Sequence, residues 1–299
     1  MQRYPVKLYG ESIGNHEPRR SIDESQMLAR TVIPLEQSPV LRVPEVGCEV
    51  ELRRSSRAKR FSLKVSHTER SAILTLPFRG RIEDANAFLA RHADWLKRQL
   101  ERLPEPVPFA DGAVVPLRGT FHRLKFVGAQ RDCGVVSIQQ CGFQLADIPG
   151  FSVLPGFPAS YSVAPGTVLP QIQVSGDLDH AARRFSDWLR NEVRKDIAAC
   201  VAKHAKALGC SPKRIAVRDQ ATRWGSCSTS GTLSFSWRLI FAPPFVLDYV
   251  AAHEVAHMRE MNHSPRFWRL VKDAAPITPK ARTWLKSHGA ELHRFGSDN

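Results

Sequence analysis

The alternation of apolar and polar residues changes character several times along the chain. Residues 46–77 alternate with the period of two that is typical of paired strands. Residues 82–103 space their apolar side chains three and four positions apart, which predicts a helix. Residues 104–176 contain short strand-like runs separated by Gly and Pro. Residues 177–208 predict one long amphipathic helix, and Gly209 follows at the position of a C-terminal cap.

The last third of the chain predicts a small sheet followed by further helices. The runs PKRIAVRD and GTLSFSWRLIFA alternate as strands, and the strand-like stretch RWGSC lies between them. The run FVLDYVAAHEVAHMREM has helical periodicity, and Ser264 followed by Pro265 is typical of the start of the next helix. We therefore predict an α+β fold, in which a β-rich N-terminal region with one helix precedes a domain containing a long helix, a small antiparallel-type sheet and a helix with the motif H-E-x-x-H.

Composition indicates a cellular location, and the changes in pattern along the sequence divide the chain into three segments. The chain has 299 residues, of which 42% are hydrophobic, and this is enough to bury a substantial core. Its 6 cysteines form no C-x-x-C pair, and no apolar run resembles a signal peptide or a membrane span. We expect a soluble cytoplasmic protein without a membrane partner. We further expect a disordered tail over residues 1–45, a β-rich region with a Gly/Pro-rich insertion over 46–176 and a catalytic domain over 177–299.

The net charge of +14 raises the hypothesis of a nucleic-acid partner. The densest basic cluster lies in RRSSRAKR and consists of Arg53, Arg54, Arg57, Lys59 and Arg60. No aromatic residues alternate with these cations, as they would in a surface that binds single strands. We favour a solvated strand edge for this cluster over a phosphate-binding role.

The segment HEVAHMREMNH carries the strongest chemical signal. His253 and His257 are four residues apart, so one helical turn places both imidazoles on the same face, where they can bind one ion. Glu254 is offset from that face and can act as the general base. His263 lies in the turn before Pro265 and is the natural third ligand. The spacing predicts a zinc site with one coordination position open for water.

Other residues compete for these roles or support them. Glu260 and Glu291 are rival third ligands, although each fits a solvent-facing charge better. Asp248 and Glu260 are candidate partners for the histidine N–H groups. Cys227 could bind the metal and Tyr249 could donate to an oxyanion, but we favour a packing role for each.

The strand-like RWGSC supplies three candidate substrate-binding residues, Arg223, Trp224 and Ser226. An edge strand beside the active helix could pair with an extended polypeptide substrate. Arg223 fits either a buried ion pair or a contact with a substrate carboxylate or oxyanion. Trp224 fits core packing better than substrate contact.

The run RWGSCSTSGTLSFSWRLIFAPPFVLDYVAAHEVAHMREMNHSPRFWRLV resembles the signature of the YgjP-like zinc metallopeptidases, which are related to the SprT-like and WLM zincins. The DANAFLARHADWLKRQL helix and the ARTWLKSHGAELHRF tail are also similar to that family. The resemblance implies a zincin-like catalytic domain, zinc ligands at His253, His257 and His263, and a catalytic Glu254. Residues 1–45 and the segment 140–175 look like additions to the family pattern.

We therefore predict a zinc-dependent hydrolase, specifically a metallopeptidase that cleaves peptide bonds by a zinc-bound water with Glu254 as the general base. One alternative is a zinc-dependent nucleotide phosphohydrolase, but the sequence contains no Gly-rich phosphate loop. The other is a nucleic-acid-associated module with structural zinc. An open coordination position and a glutamate beside the first ligand argue against that alternative. The expected partner is a polypeptide substrate, and nucleic acid is not favoured.

Overall fold

The computed structural model describes residues 4–7, 40–43, 46–66, 71–129, 134–144 and 168–296. The strands are β1 (Tyr4–Lys7), β2 (Val40–Val43), β3 (Cys48–Ser55), β4 (Ser62–Ser66), β5 (Ser71–Pro77), β6 (Val114–Leu117), β7 (Thr120–Val127), β8 (Val136–Gln144), β9 (Val168–Ser175), β10 (Arg214–Arg218), β11 (Arg223–Cys227) and β12 (Thr232–Ser236). The helices are α1 (Ile82–Arg91), α2 (Ala93–Glu101), α3 (Ala181–Leu208), α4 (Pro244–Ala256), α5 (Pro265–Ala274) and α6 (Thr278–His288). The architecture is α+β, as predicted.

The chain divides into two compact units. One contains Gly10–Leu103, and the other contains Met1–Tyr9 together with Pro104–Asn299. The predicted boundary at residue 176 does not match this division. Strands β6, β7 and β9 share a hydrophobic core with α3, because their apolar faces and the apolar face of that helix pack together. The short strands of residues 104–176 therefore belong to the larger unit.

The smaller unit is a sheet packed against two helices. Its strand order is β2-β3-β5-β4, with β3 and β5 parallel and the other neighbours antiparallel. The single helix predicted after β5 is broken at His92, which has φ −113° and ψ 12°. The His92 Nδ1 lies 2.8 Å from the Phe88 carbonyl oxygen, and the His92 N–H donates to Leu89 instead. The ring thus occupies the acceptor that a continuous helix would use.

The basic cluster begins in the part of β3 that has a paired neighbour on one side only among the described residues, which agrees with the solvated strand edge that we favoured. Strand β2 pairs with Cys48–Glu51 only, so Arg53 and Arg54 are paired on one side, with Thr75 and Leu76 of β5. Arg53 forms a bidentate ion pair with Glu51, at 2.7 Å and 2.8 Å. Arg54 donates to two backbone carbonyl oxygens after β5. The other three cations, Arg57, Lys59 and Arg60, are exposed in the turn that follows β3.

The described part of the larger unit contains two sheets. The first has the order β6-β7-β9-β8, with β7 and β9 parallel. The second has the order β1-β11-β12-β10, in which β10 and β12 are parallel and the remaining pairs antiparallel. The second sheet is therefore mixed and not of the predicted antiparallel type. The run GTLSFSWRLIFA also leaves the sheet early, because Ser236 caps a 3-10 helix over Trp237–Phe241 by accepting from the Arg238 N–H.

The long helix α3 forms as predicted. Five residues of its apolar stripe are fully buried, namely Phe185, Leu189, Val193, Ile197 and Val201. Gly209 ends the helix with φ 58°, a left-handed conformation that costs glycine little. Within the described residues, no helix is both long and apolar enough to cross a membrane.

The first 45 residues were expected to be a disordered tail. The structure instead describes β1 and β2 within this range. Strand β1 pairs antiparallel with β11, with Pro5 opposite Ser226. Strand β2 pairs antiparallel with β3. The remainder of the predicted tail lies outside the described residues, as does most of the Gly/Pro-rich segment between β8 and β9.

Candidate metal centre and active site

The buried helix α4 carries the first two predicted ligands. Pro243 and Pro244 set its start, with Pro244 in the first turn, and the helix ends at Ala256. His253 lies in its last turn, and His257 is the C-terminal cap residue, with a helical φ of −62° and ψ of −19°. Because helical geometry continues to His257, the two imidazoles remain on the same face, and their ring centroids are 4.9 Å apart.

The turn between α4 and α5 places His263 beside these two rings. Ser264 begins α5 as predicted, since its side chain accepts a hydrogen bond from the Phe267 N–H. The His263 Nε2 lies 3.1 Å from the His253 Nε2. One ligand atom from each of the three histidines lies within 4.8 Å of the others. Two nitrogens bound to one tetrahedral zinc would be about 3.3 Å apart, so these positions fit a shared ion.

Contacts around the rings fix which nitrogens face the shared position. The His257 Nδ1 lies 3.1 Å from the Glu260 carbonyl oxygen, which favours a tautomer with the proton on Nδ1 and a lone pair on Nε2. The Phe267 ring stacks on His257 at 4.4 Å and meets His253 and His263 edge to face. Packing and this hydrogen bond therefore restrict the orientation of the imidazoles before any ion binds.

Burial also sets the protonation state of the three histidines. It lowers the pKa of His253 well below its usual value, and the neighbouring histidines and Arg282 lower it further. Burial lowers the pKa of His257 to about 4. The pKa of His263 is lowered by burial and by Arg282. All three imidazoles are therefore neutral near pH 7, which is the form that binds a metal ion.

Glu254 follows His253 in α4 and points into the protein interior. Its side chain is fully buried, and neither carboxylate oxygen has a hydrogen-bond partner within the described chain. Burial raises its pKa well above the usual value, while the Arg223 charge acts in the opposite direction. A buried carboxylate without partners is costly unless a ligand, an ion or water completes its surroundings. This deficit, next to three neutral imidazoles, fits a metal ion and a water molecule.

Strand β11 contacts Glu254 through a residue that sequence reasoning missed. A Cβ placed on Gly225 would lie 2.5 Å from the Glu254 Oε1 and 2.6 Å from its Cγ. The strand backbone can approach the carboxylate only because position 225 has no side chain. An isolated glycine inside a strand pattern was the available signal, since such a residue often marks a close backbone approach.

The three candidate substrate-binding residues fall in different surroundings. Arg223 is half-buried and close enough to Glu254 for its charge to act on that carboxylate. Trp224 is buried, with its ring 5.2 Å from that of His293, in agreement with the packing role that we favoured. Ser226 is buried within β11 and lies opposite Ser234 of β12. Strand β11 is not an edge strand, because β1 pairs with its other side.

The remaining candidates are not brought to the histidine cluster as ligands. The carboxylates of Glu260 and Glu291 lie outside the group, and Glu291 pairs with Arg294 at 3.2 Å. Asp248 was predicted to support a metal ligand, but it contacts His204 at 2.8 Å instead. Glu260 does contact His257, through its backbone carbonyl and not its carboxylate.

Two residues near the motif have packing positions. Cys227 is buried, and burial followed by the Glu254 charge raises the pKa of its thiol to about 12, so it is not a thiolate near pH 7. Tyr249 is buried and meets His253 edge to face, with the ring centroids 5.9 Å apart.

Comparison with known proteins identifies the class to which this site belongs. The YgjP-like, metallopeptidase domain family matches residues 59–146 and 152–288. Among solved structures, the chain is similar to the metallopeptidase zymogen abylysin of Pyrococcus abyssi, with 20% identity and a TM-score of 0.26 over 30% of this chain and 95% of that chain. This similarity is too low to carry an argument. No curated protein matches the chain.

The protein is a hydrolase of the zinc metallopeptidase class. More specifically, the chain belongs to the YgjP-like family, because the family match covers well over half of its length. The match also runs through most of the segment 140–175. That segment is therefore not an addition to the family pattern, contrary to our expectation.

Proposed function

We propose that this peptidase binds one zinc ion through His253, His257 and His263 and uses Glu254 as its general base. The observation that carries the proposal is the convergence of three neutral imidazoles beside a buried, partnerless carboxylate. When bound, zinc supplies a Lewis acid that polarises a carbonyl group and acidifies water. An oxygen-rich site would favour calcium or magnesium, whereas three imidazoles suit zinc.

Glu254 has the properties that proton transfer requires. Burial raises the pKa of its carboxyl group, which makes the carboxylate a stronger proton acceptor than an exposed one. A carboxylate oxygen of Glu254 takes the proton from the attacking water, and the same oxygen then delivers that proton to the leaving amine. Its fixed position between α4 and Gly225 limits the motion lost on reaching the transition state.

We assign different roles to the three substrate-binding candidates. Arg223 is the one whose charge reaches the catalytic carboxylate, so we propose that it contacts the substrate or the charge that develops on the carbonyl oxygen. Trp224 and Ser226 are buried, and we propose that they hold β11 in place. Arg223→Gln should then lower kcat and leave the melting temperature nearly unchanged.

The substrate of the proposed reaction is a polypeptide. The test compares the zinc-loaded wild type with Glu254→Gln on an unstructured polypeptide and on nucleoside triphosphates. The amide retains the shape of the carboxylate but cannot take the proton, so Glu254→Gln should keep zinc and lose hydrolysis. Cleavage of the polypeptide by the wild type alone supports the proposal. Release of phosphate without peptide cleavage would replace it with a nucleotide phosphohydrolase.

We also propose a cytoplasmic location. The support is chemical, since Cys48, Cys200, Cys210 and Cys227 are free thiols in the described part of the chain. Reduced thiols are typical of a reducing compartment. Fractionation of cells that produce the protein tests the location, and recovery in the secreted fraction would contradict it.

A further inference from the structure

The two helices that follow the metal-binding helix share a strongly biased charge. Between residues 265 and 288 lie six exposed cations and a single acidic residue, Asp273, whereas the whole chain has 43 basic and 29 acidic residues. Both helices, α5 and α6, pack against α4, which carries the first two ligands. We call these six cations the α5–α6 basic surface: Arg266, Arg269, Lys272, Lys280, Arg282 and Lys286.

Arg282 is the member of this surface that is tied to the histidine cluster. Its Cζ lies 4.5 Å from the centroid of the Trp268 ring. The Trp268 ring in turn lies 5.7 Å from the rings of both His253 and His263, and it stacks on His263. Arg282 is therefore linked to both imidazoles through the Trp268 ring.

The Arg282 guanidinium lies over the Trp268 ring without an acidic partner in the part of the chain that the structure describes. Within the described residues, no carboxylate forms an ion pair with it. Stacking on an indole leaves the edge N–H groups of a guanidinium available, and these groups match the two oxygens of a carboxylate. The ring also restricts the side chain in advance, which reduces the entropy lost on binding. Arg282 is thus prepared for an anionic group beside the catalytic site.

We propose that the α5–α6 basic surface binds acidic polypeptide segments and that Arg282 makes the enzyme prefer Asp or Glu near the scissile bond. This inference rests on the proposed peptidase function and adds a substrate class to it. The other five cations extend the positive potential along the two helices, which attracts acidic chains and repels basic ones. Arg282 provides the specific contact.

The test uses three unstructured decapeptides that differ only at the positions flanking one cleavable bond. These positions carry Glu and Asp, Gln and Asn, or Lys and Arg. Cleavage by the zinc-loaded wild type should be fastest for the acidic peptide, and this advantage should decrease with added salt because screening weakens exposed charges. Arg282→Gln should raise KM for the acidic peptide by about tenfold and leave KM for the neutral peptide nearly unchanged. Arg282→Glu should make the basic peptide the preferred one.

A matched control separates a local contact from the total charge. Lys59→Glu changes the net charge by the same amount as Arg282→Glu, but Lys59 is an exposed residue of the other compact unit. We expect this variant to keep the wild-type order of peptides. If it changes the order as much as Arg282→Glu does, or if the wild type shows no preference, the inference is wrong. The zinc content of every variant is measured, so that loss of metal is not mistaken for loss of substrate contact.

Binding to an inactive protein separates this inference from the proposed function. In a Glu254→Gln background, fluorescence anisotropy of the three labelled peptides should give the same order of affinity and the same dependence on Arg282. If the acidic peptide binds in this way but the zinc-loaded wild type does not cleave it, the peptidase proposal fails and the basic surface remains a binding site. If peptides are cleaved without any charge preference, only the inference fails. Arg282-dependent binding of a single-stranded oligonucleotide, without binding of the acidic peptide, would overturn the inference in favour of nucleic acid.

Discussion

Gly225→Ala is the substitution that most directly tests the assignment of Glu254. The methyl group would lie 2.5 Å, 2.6 Å and 2.8 Å from the Oε1, Cγ and Cδ of Glu254. The backbone of Gly225 does not have positive φ, so alanine adds no conformational strain there. The substitution therefore acts through steric contact with one side chain, the proposed general base.

The size of the effect follows from these distances. Carbon atoms in comfortable contact are about 3.5 Å apart, so the carboxylate must move by roughly 1 Å. Glu254 is fully buried and cannot swing into solvent to relieve the contact. A misplacement of about 1 Å at a catalytic group reduces the rate by about 100-fold, which corresponds to about 2.7 kcal/mol of activation free energy. The overpacking itself should destabilise the fold by about 1 to 3 kcal/mol.

The assay combines three measurements on the same preparation. We expect kcat/KM on an unstructured polypeptide to fall by about 100-fold, while zinc content by elemental analysis stays near one ion per chain. Circular dichroism should show a folded protein with a lowered melting temperature. Gly128→Ala is the matched control, because a Cβ at that position meets nothing within 4 Å, and it should behave as the wild type. A folded, zinc-loaded Gly225→Ala protein with wild-type kcat/KM would refute the placement of Glu254 in the reaction.

Three single substitutions and one triple substitution test other parts of the structure. His263→Ala should strongly reduce zinc content, and full zinc retention would remove His263 from the ligand set. Ser264→Ala removes the cap of α5, which costs about 1 kcal/mol and should speed zinc loss to a chelator; an unchanged rate would disconnect the cap from the site. Burial would raise the pKa of Asp219, but the charge and hydrogen bonds of Arg238 hold it below its usual value. Asp219 therefore stabilises the fold above the unfolded pKa of about 3.9, and this contribution is lost as the pH falls through the folded pKa. Asp219→Asn should cost about 3 kcal/mol at pH 7 in denaturant titrations, because it leaves the buried Arg238 charge unpaired, and the difference from wild type should shrink at low pH. Replacing Arg57, Lys59 and Arg60 with Ser should leave peptide cleavage unchanged and should not alter the salt dependence of weak nucleic-acid binding; a reduced salt slope would assign phosphate contacts to these cations.

The parts of the fold that sequence predicted correctly depend on neighbours along the chain. Helix α3 follows from the spacing of its apolar residues and from the glycine at its end. The position of His263 follows from Ser264 and Pro265, which begin a new helix and force a turn before it. In each case the responsible residues lie within one or two helical turns of each other, so periodicity and capping rules are sufficient.

The parts that were missed depend on residues far apart in the chain. Alternation predicted that β3 and β10 are strands, but it contains no information about their parallel partners, β5 and β12. For the same reason, it could not show that β2 pairs with the first half of β3 and leaves the cations at its end paired on one side only. The approach of Gly225 to Glu254 joins a strand to a helix across the sheet, and no local pattern encodes that distance.

The distinction between local and long-range contacts also separates the residues that should control zinc affinity from the residue that should control the rate. The proposed third ligand, the capping serine and the aromatic ring beneath the imidazoles all lie within residues 263–267, so substitutions there should act first on zinc affinity. The contact that restricts the proposed general base comes instead from β11, which supplies no histidine to the cluster. Substitutions at position 225 should therefore lower the rate at full zinc occupancy, whereas those at positions 263 and 264 should lower occupancy and leave the rate per bound zinc closer to that of the wild type. Zinc content and turnover per zinc, measured on the same variants, distinguish the two effects. If Gly225→Ala and Ser264→Ala changed both quantities in equal proportion, the ligand turn and the strand would not be independent supports of the site.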